Sequence, residues 1–198
     1  MNLRDIRDYL KIVVAYLLIW LYLPHVLVYL LRRDVHVHED LKRFRDGDVI
    51  KGSLFTAFMF HIHHNSYFRS LFYHRCGPIL GALIGWYRPG DKYFTISKTT
   101  KIGKGCFFEH PYATILNAES IGENFFCIQC TTLGNKNEAR PTIGNNVTLG
   151  ANIIIIGDVR VGNNVTIGAG SVVVKDIPDN CVAVGNPCKP IKFIEFQK

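Results

Sequence analysis

The sequence lacks the patterns that would place it in several common classes. No zinc-finger, RNP or basic-helix pattern occurs, so nucleic acid is not an expected partner. The triplet His61-x-His63-His64 has neither the spacing of an HExxH site nor a carboxylate close by in sequence, and no metal is expected there. Cys127-x-x-Cys130 is followed by no second Cys/His pair at zinc spacing, and the other four cysteines are scattered. No small-residue cleavage site follows the N-terminal apolar run, so the expectation is a cytoplasmic protein with reduced thiols. Acid is in deficit, with 16 Asp and Glu against 23 Lys and Arg. Most of that surplus lies in residues 1–95, which hold 13 basic and 8 acidic side chains. A basic flank beside an apolar run suits an anionic membrane surface. Histidine is nearly missing from the second half: seven of the eight lie at or before His74.

What is present falls into two halves, residues 1–95 and 96–198. Hydrophobic residues make up 48% of the 198, enough for a packed core. Ile12–Leu31 is an uncharged run of twenty, bounded by Lys11 and by Arg32-Arg33. That is the length a helix needs to span a bilayer, and Tyr16, Trp20, Tyr22 and Tyr29 are interfacial residue types. Pro24 and His25 argue against a straight span, because they would kink the helix and place a polar ring in hydrocarbon. The expectation is a broken or surface-lying, membrane-associated helix pair; a helix buried against its own domain or a neighbouring subunit is the alternative. Residues 34–92 have short apolar stretches broken by glycine and proline, consistent with helices.

From residue 96 the pattern changes. Ile143, Leu149, Ile155, Val161, Ile167 and Val173 recur every six residues, with a second, smaller apolar set four places on at Val147, Ile153, Val159 and Val165. Upstream the beat runs Ile115, Ile121, Cys127, Leu133, and before that Ile96, Ile102, Phe108, one residue out of phase. Between Leu133 and Ile143 the step is ten, which leaves Gly134–Thr142 as a protruding loop. A period of six fits neither a strand nor a helix. It fits a solenoid of triangular coils, three short sides each, with Gly and Asn at the corners. Four to five such coils are expected over residues 96–178.

The stretch 142–190, TIGNNVTLGANIIIIGDVRVGNNVTIGAGSVVVKDIPDNCVAVGNPCKP, resembles the hexapeptide-repeat acyltransferases, and CFFEHPYATILNAESIGENFFCIQCTTLGN (106–135) resembles their serine acetyltransferase-like branch, which includes surface-polysaccharide O-acetyltransferases. The resemblance implies a left-handed parallel β-helix, a mainly β fold, carrying an N-terminal helical segment. It further implies acetyl-CoA as co-substrate, a homotrimer with acetyl-CoA between subunits, and a catalytic histidine that falls on His110, in Glu109-His110-Pro111. Independently, His110 is the only histidine after residue 74, and a neutral imidazole suits deprotonation of a hydroxyl. Glu109 is a candidate orienting partner. By position the resemblance assigns Ala151 and Ala169 to the pantetheine arm and Lys175, Lys189 and Lys192 to the cofactor phosphates. Lys136 and Arg140, in the loop, become acceptor-binding candidates.

Two departures bear on the acceptor. Thr95 stands where serine acetyltransferases have a histidine-orienting Asp, and the loop reads Ala139-Arg140-Pro141 in place of Arg-His-Pro. The leading expectation is O-acetylation of a surface polysaccharide or its sugar precursor at the inner membrane face. Serine O-acetylation is the second, and a non-catalytic β-helix scaffold the third.

Overall fold

The structure is a computed structural model that describes residues 3–47 and 52–194. The chain divides into two compact units, Met1–Asp91 and Lys92–Lys198.

The first unit is helical: α1 (Leu3–Leu17), a 3-10 turn (Ile19–Tyr22), α2 (Leu23–Arg32), α3 (Val35–Gly47), α4 (Leu54–His64), α5 (Ser66–Cys76) and α6 (Pro78–Gly85). The uncharged run is broken, bending by 68° between α1 and the segment that begins at Ile19. Pro24 lies in the first turn of α2, where its missing N–H breaks no intrahelical bond. No single described helix is long and apolar enough to cross a membrane. Ser53 and Asn65 cap α4 and α5, their side-chain oxygens accepting from the backbone N–H of Thr56 (3.1 Å) and Phe68 (2.9 Å). Phe44, Phe58, Phe68 and Phe72 fill the core between α3, α4 and α5. A buried bidentate ion pair joins α3 to α5: Arg75 Nε and Nη2 donate to Asp40 Oδ2 and Oδ1 at 2.9 and 3.2 Å.

His25 is fully buried within this unit rather than turned toward lipid. Tyr73 gives its own proton to the Arg88 carbonyl (2.5 Å), so His25 Nε2–H donates to the Tyr73 oxygen at 2.9 Å. Burial, with the Arg69 guanidinium adding to it, lowers the His25 pKa to about 4. The unfolded chain therefore takes up this proton near pH 6.5 while the folded chain refuses it until about pH 4. Stability conferred by neutral His25 is complete above pH 6.5 and is lost as the pH falls toward 4, at up to about 1.4 kcal/mol per pH unit. Melting temperatures taken across that window should fall with acidification, and His25→Gln should flatten the slope; an unchanged slope would remove His25 as its cause.

The other sides of the helices are apolar and exposed. Ile6, Leu10, Val14 and Leu17 form an outward stripe on α1, Leu23, Leu27, Leu30 and Leu31 one on α2, and Ile79 and Leu83 one on α6. Trp20 and Trp86 are also exposed. The Tyr87 hydroxyl donates to the Leu21 carbonyl at 2.7 Å, which ties the segment after α6 to the turn that carries Trp20.

The second unit is the left-handed parallel β-helix. Its strands are β1 (Phe94–Ile96), β2 (Lys101–Ile102), β3 (Phe107–Phe108), β4 (Thr114–Leu116), β5 (Ser120–Ile121), β6 (Phe126–Cys127), β7 (Thr132–Gly134), β8 (Thr142–Ile143), β9 (Thr148–Leu149), β10 (Ile154–Ile156), β11 (Arg160–Val161), β12 (Val165–Ile167), β13 (Val172–Val173), β14 (Cys181–Val184) and β15 (Lys189–Phe193). Every third strand stacks. The first sheet is β1-β4-β7-β10-β13, the second β2-β5-β8-β11, and the third β3-β6-β9-β12-β14, with β15 added antiparallel at its end. Ile143, Leu149, Ile155, Val161, Ile167 and Val173 are all buried, as the six-residue beat requires.

One corner explains why the beat is so regular. Asn124, Asn146, Asn164 and Asn180 all adopt left-handed backbone, with φ of 55–57°. Their side chains form a ladder in which each amide donates to the next side-chain oxygen at 2.7–2.9 Å. Beside it Gly144 stacks on Gly162 so closely that a Cβ would lie 2.5 Å from the Gly162 carbonyl oxygen. The Gly-Asn-Asn motif is thus a backbone requirement rather than a loop of convenience.

Upstream, one inward assignment changes. Ile115 is exposed and Leu116 is the fully buried residue, paired in register with Ile96 and Leu133. Two residues are inserted before Leu116 and one is missing after it, and their near-cancellation makes the sequence look one residue out of phase.

Candidate active site

The insertion sits at the corner where the third sheet hands over to the first. In later coils three steps take the chain from the inward residue to the left-handed corner residue: Cys127 to Cys130, Leu149 to Asn152, Ile167 to Gly170. In the first coil the same passage, Phe108 to Ala113, takes five. The stacking bonds Cys130 N–H to Tyr112 carbonyl (2.8 Å), Asn152 N–H to Gln129 carbonyl (3.0 Å) and Gly170 N–H to Ala151 carbonyl (2.9 Å) align Tyr112, Gln129, Ala151 and Ala169 in one column. The residues left over are His110 and Pro111. His110 is exposed, at φ +48°, and the corner column offers no equivalent position. A non-glycine residue held there costs on the order of 1–3 kcal/mol, a cost that tends to be tolerated at functional sites. The Tyr112 N–H closes the bulge on the His110 carbonyl at 2.6 Å.

Glu109 is exposed too, its backbone N–H tied to the Cys127 carbonyl at 3.1 Å. Among the described residues no hydrogen bond joins Glu109 to the His110 ring, and no side chain orients that ring. Thr95 lies exposed on β1, its Cα opposite that of Ile115. Cys127 points into the core, where burial raises its thiol pKa, while half-buried Cys130 turns the corner; both are free thiols.

The candidate binding residues divide between the edges of the first sheet. Ala151 and Ala169 lie on the same corner column as Tyr112, two and three coils on, with exposed Gln129 between them and Tyr112. Three coil spacings cover about 14 Å. Lys189 lies beyond, on β15 opposite Val184, and Lys192 opposite Val182; both are exposed. Lys175 follows β13 and is exposed at the other edge of the first sheet.

Lys136 and Arg140 also belong to that far edge. Lys136 and Ala139 exchange hydrogen bonds at 2.9 and 3.1 Å across Asn137 and Glu138, both at positive φ, making a two-residue hairpin turn. Lys136 is exposed on this hairpin. Arg140 is anchored at its base: the guanidinium bonds Glu119 and the Thr99 hydroxyl.

Two residues not singled out from the sequence lie at the bulge that carries His110. Tyr93 and Tyr112 pack with ring centroids 5.0 Å apart and both are about half exposed. The Lys92 ammonium lies 4.7 Å from the Tyr93 centroid.

Residues 140–175 match the bacterial transferase hexapeptide (six repeats) family. WcaB of Escherichia coli (strain K12), named for colanic acid biosynthesis and acetyl transfer, is 43% identical over 100 residues, which cover 48% of this chain and 62% of that protein. A serine acetyltransferase of Synechococcus elongatus is 36% identical over 96 residues, 46% of this chain and 39% of that one. The chain therefore spans less than two thirds of either relative. Among solved structures, Neisseria gonorrhoeae serine acetyltransferase in complex with serine superposes with a TM-score of 0.65 and 28% identity, covering 78% of this chain and 67% of that one. Six-residue beat, coil geometry and these likenesses agree: the chain is similar to hexapeptide-repeat transferases, among them proteins named as serine acetyltransferases and as a colanic acid biosynthesis acetyltransferase.

Proposed function

We propose that the protein transfers an acetyl group from acetyl-CoA to a hydroxyl of a surface polysaccharide or its sugar precursor, with His110 as general base. The observation that carries this is His110 itself, raised on a two-residue bulge at the head of a corner column. Acetyl-CoA would supply an activated thioester acyl group. The residues present fit it: Ala151 and Ala169 leave the column open to a slender chain, and Lys189 and Lys192 offer charge for phosphates beyond it. The neutral imidazole of His110 accepts the hydroxyl proton as the new C–O bond forms, and returns it to the thiolate as the C–S bond breaks. Glu109 is the nearest carboxylate in sequence that could orient the ring. A homotrimer, with the co-substrate groove shared between neighbouring copies, completes the proposal.

Polysaccharide is favoured over serine by Thr95, by the altered loop, and by Arg140, whose guanidinium is already committed to Glu119 and Thr99. The serine acetyltransferase relatives and the serine-bound neighbour support the second reading, serine O-acetylation. Thiol release from acetyl-CoA by the purified full chain, measured with sugar acceptors and with L-serine, separates them. Release stimulated by sugars is expected; release with neither acceptor would leave the non-catalytic scaffold.

The helical unit supports a position on the inner face of the membrane. Its three outward apolar stripes and two exposed tryptophans are flanked by exposed Arg7, Arg32 and Arg33, the composition of a surface that dips into an anionic lipid interface. The full chain should float with vesicles containing anionic lipid. The triple variant Trp20→Glu, Leu27→Glu, Trp86→Glu should remain in the soluble fraction. Wild-type protein that stays soluble beside such vesicles would exclude this role.

A further inference from the structure

We propose that Tyr93, Tyr112 and Lys92 form the acceptor subsite beside His110, and that it takes the face of a pyranose bearing an acidic substituent. The proposal rests on the reading of His110 as the base and names what that base acts upon.

Both tyrosines are placed by the backbone of the bulge. The Tyr112 N–H holds the His110 carbonyl at 2.6 Å, and the Tyr93 carbonyl accepts from the Thr114 N–H at 3.0 Å, one residue past the corner. The pair is therefore built into the same turn that raises the histidine. Its rings, 5.0 Å apart and inclined at 53°, are 48% and 52% exposed. The coil core does not need them, because Phe94 and Thr114 take the inward positions alongside. Half-exposed aromatic rings offer a flat apolar surface with a hydroxyl at the rim. That combination matches a sugar ring, whose C–H face packs on an aromatic while its edge hydroxyls stay wet. Alpha carbons two residues apart lie at most about 7 Å from each other, so in the proposed subsite the edge of a sugar seated on Tyr112 lies within reach of the His110 imidazole.

Lys92 fixes the sign. Its ammonium lies over the Tyr93 ring, 4.7 Å from the centroid, where a carboxylate on a sugar seated against Tyr112 would meet it. Free serine has no apolar face and is too small to touch both tyrosines, so the platform also gives a physical basis for discriminating against it.

Saturation-transfer NMR on the full chain tests this with three probes: methyl β-D-glucuronide, methyl β-D-glucoside and L-serine. The glucuronide should receive saturation on its ring protons, the glucoside less and serine none. Tyr112→Ala and Tyr93→Ala should each weaken glucuronide binding by roughly tenfold, while Tyr112→Phe keeps it. Lys92→Met should bring the glucuronide down to the level of the glucoside. Acetyl-CoA binding, unchanged in every variant, certifies that each one is folded. Sugar saturation that survives loss of both tyrosines overturns the subsite, as does the absence of saturation in the wild type. If the sugars bind through the tyrosines but no thiol is released from acetyl-CoA, the subsite stands and the transferase reading fails. Thiol release with a sugar acceptor at unaltered KM in both tyrosine variants defeats the subsite alone.

Discussion

Replacing His110 with Ala should lower the turnover of acetyl transfer by at least about 10²-fold, the ordinary worth of a positioned general base. Acetyl-CoA affinity should hardly move. The imidazole acts on the acceptor hydroxyl, whereas the residues proposed for the cofactor lie further along the corner column or beyond it, at Ala151, Ala169, Lys189 and Lys192. A group that works only in the chemical step contributes to the transition state and not to ground-state binding, so kcat should fall while the KM for acetyl-CoA stays. The second histidine cluster, His61, His63 and His64, belongs to the helical unit, and its substitution should leave turnover within a small factor. Initial-rate kinetics on the two sets of variants make the comparison. Near-normal turnover in His110→Ala would reject the mechanism and leave the fold untouched.

The largest expected effect on stability lies in the helical unit. Asp40→Ala removes one half of an ion pair whose side chains are only 2% and 6% exposed, and takes a bidentate carboxylate away from the buried Arg75 guanidinium. Breaking such a pair costs about 3–5 kcal/mol, because a buried charge is left uncompensated. Total stability for a domain is about 5–15 kcal/mol, so the helical unit should lose much or all of its margin. The pair itself is not expected to be strongly stabilising, since desolvating both ions offsets most of their attraction. The double variant Asp40→Leu, Arg75→Met should therefore recover most of the loss. Far-UV circular dichroism melts of wild type, single and double variants measure this. A single variant within 1 kcal/mol of wild type would show that solvent reaches Arg75 after all.

The β-helix was legible because its core residue repeats with a period that no other architecture uses, and because the Asn corners spell out the left-handed backbone they adopt. The loop at Gly134–Thr142 was legible for the same reason, as four residues too many in an otherwise regular beat. The first coil was harder. Two extra residues at His110-Pro111 and one fewer after Leu116 nearly cancel, so the beat suggested Ile115 as the inward residue, where the structure buries Leu116. A step of eight followed by five was the available signal for a bulge, and it was hidden by two adjacent isoleucine-like residues, either of which could face inward. Tyr93 and Tyr112 could not be paired from sequence, because their contact depends on that bulge. In the helical unit, Pro24 announced a break but not its form. Proline is unfavourable inside a helix and favourable in its first turn, so the chain ends α1 early and restarts at Leu23. His25 then turns inward to Tyr73, a partner 48 residues away that no local pattern could supply.

The most direct measurement is a competition. The full chain is supplied with carbonyl-¹³C acetyl-CoA and equal concentrations of an acidic polysaccharide repeat unit and L-serine, and the ester carbonyl signals are followed by NMR. The expected result is an O-acetyl ester on the sugar that forms with wild type and not with His110→Ala. O-acetylserine as the main product, or sugar ester formed equally well without His110, would contradict it.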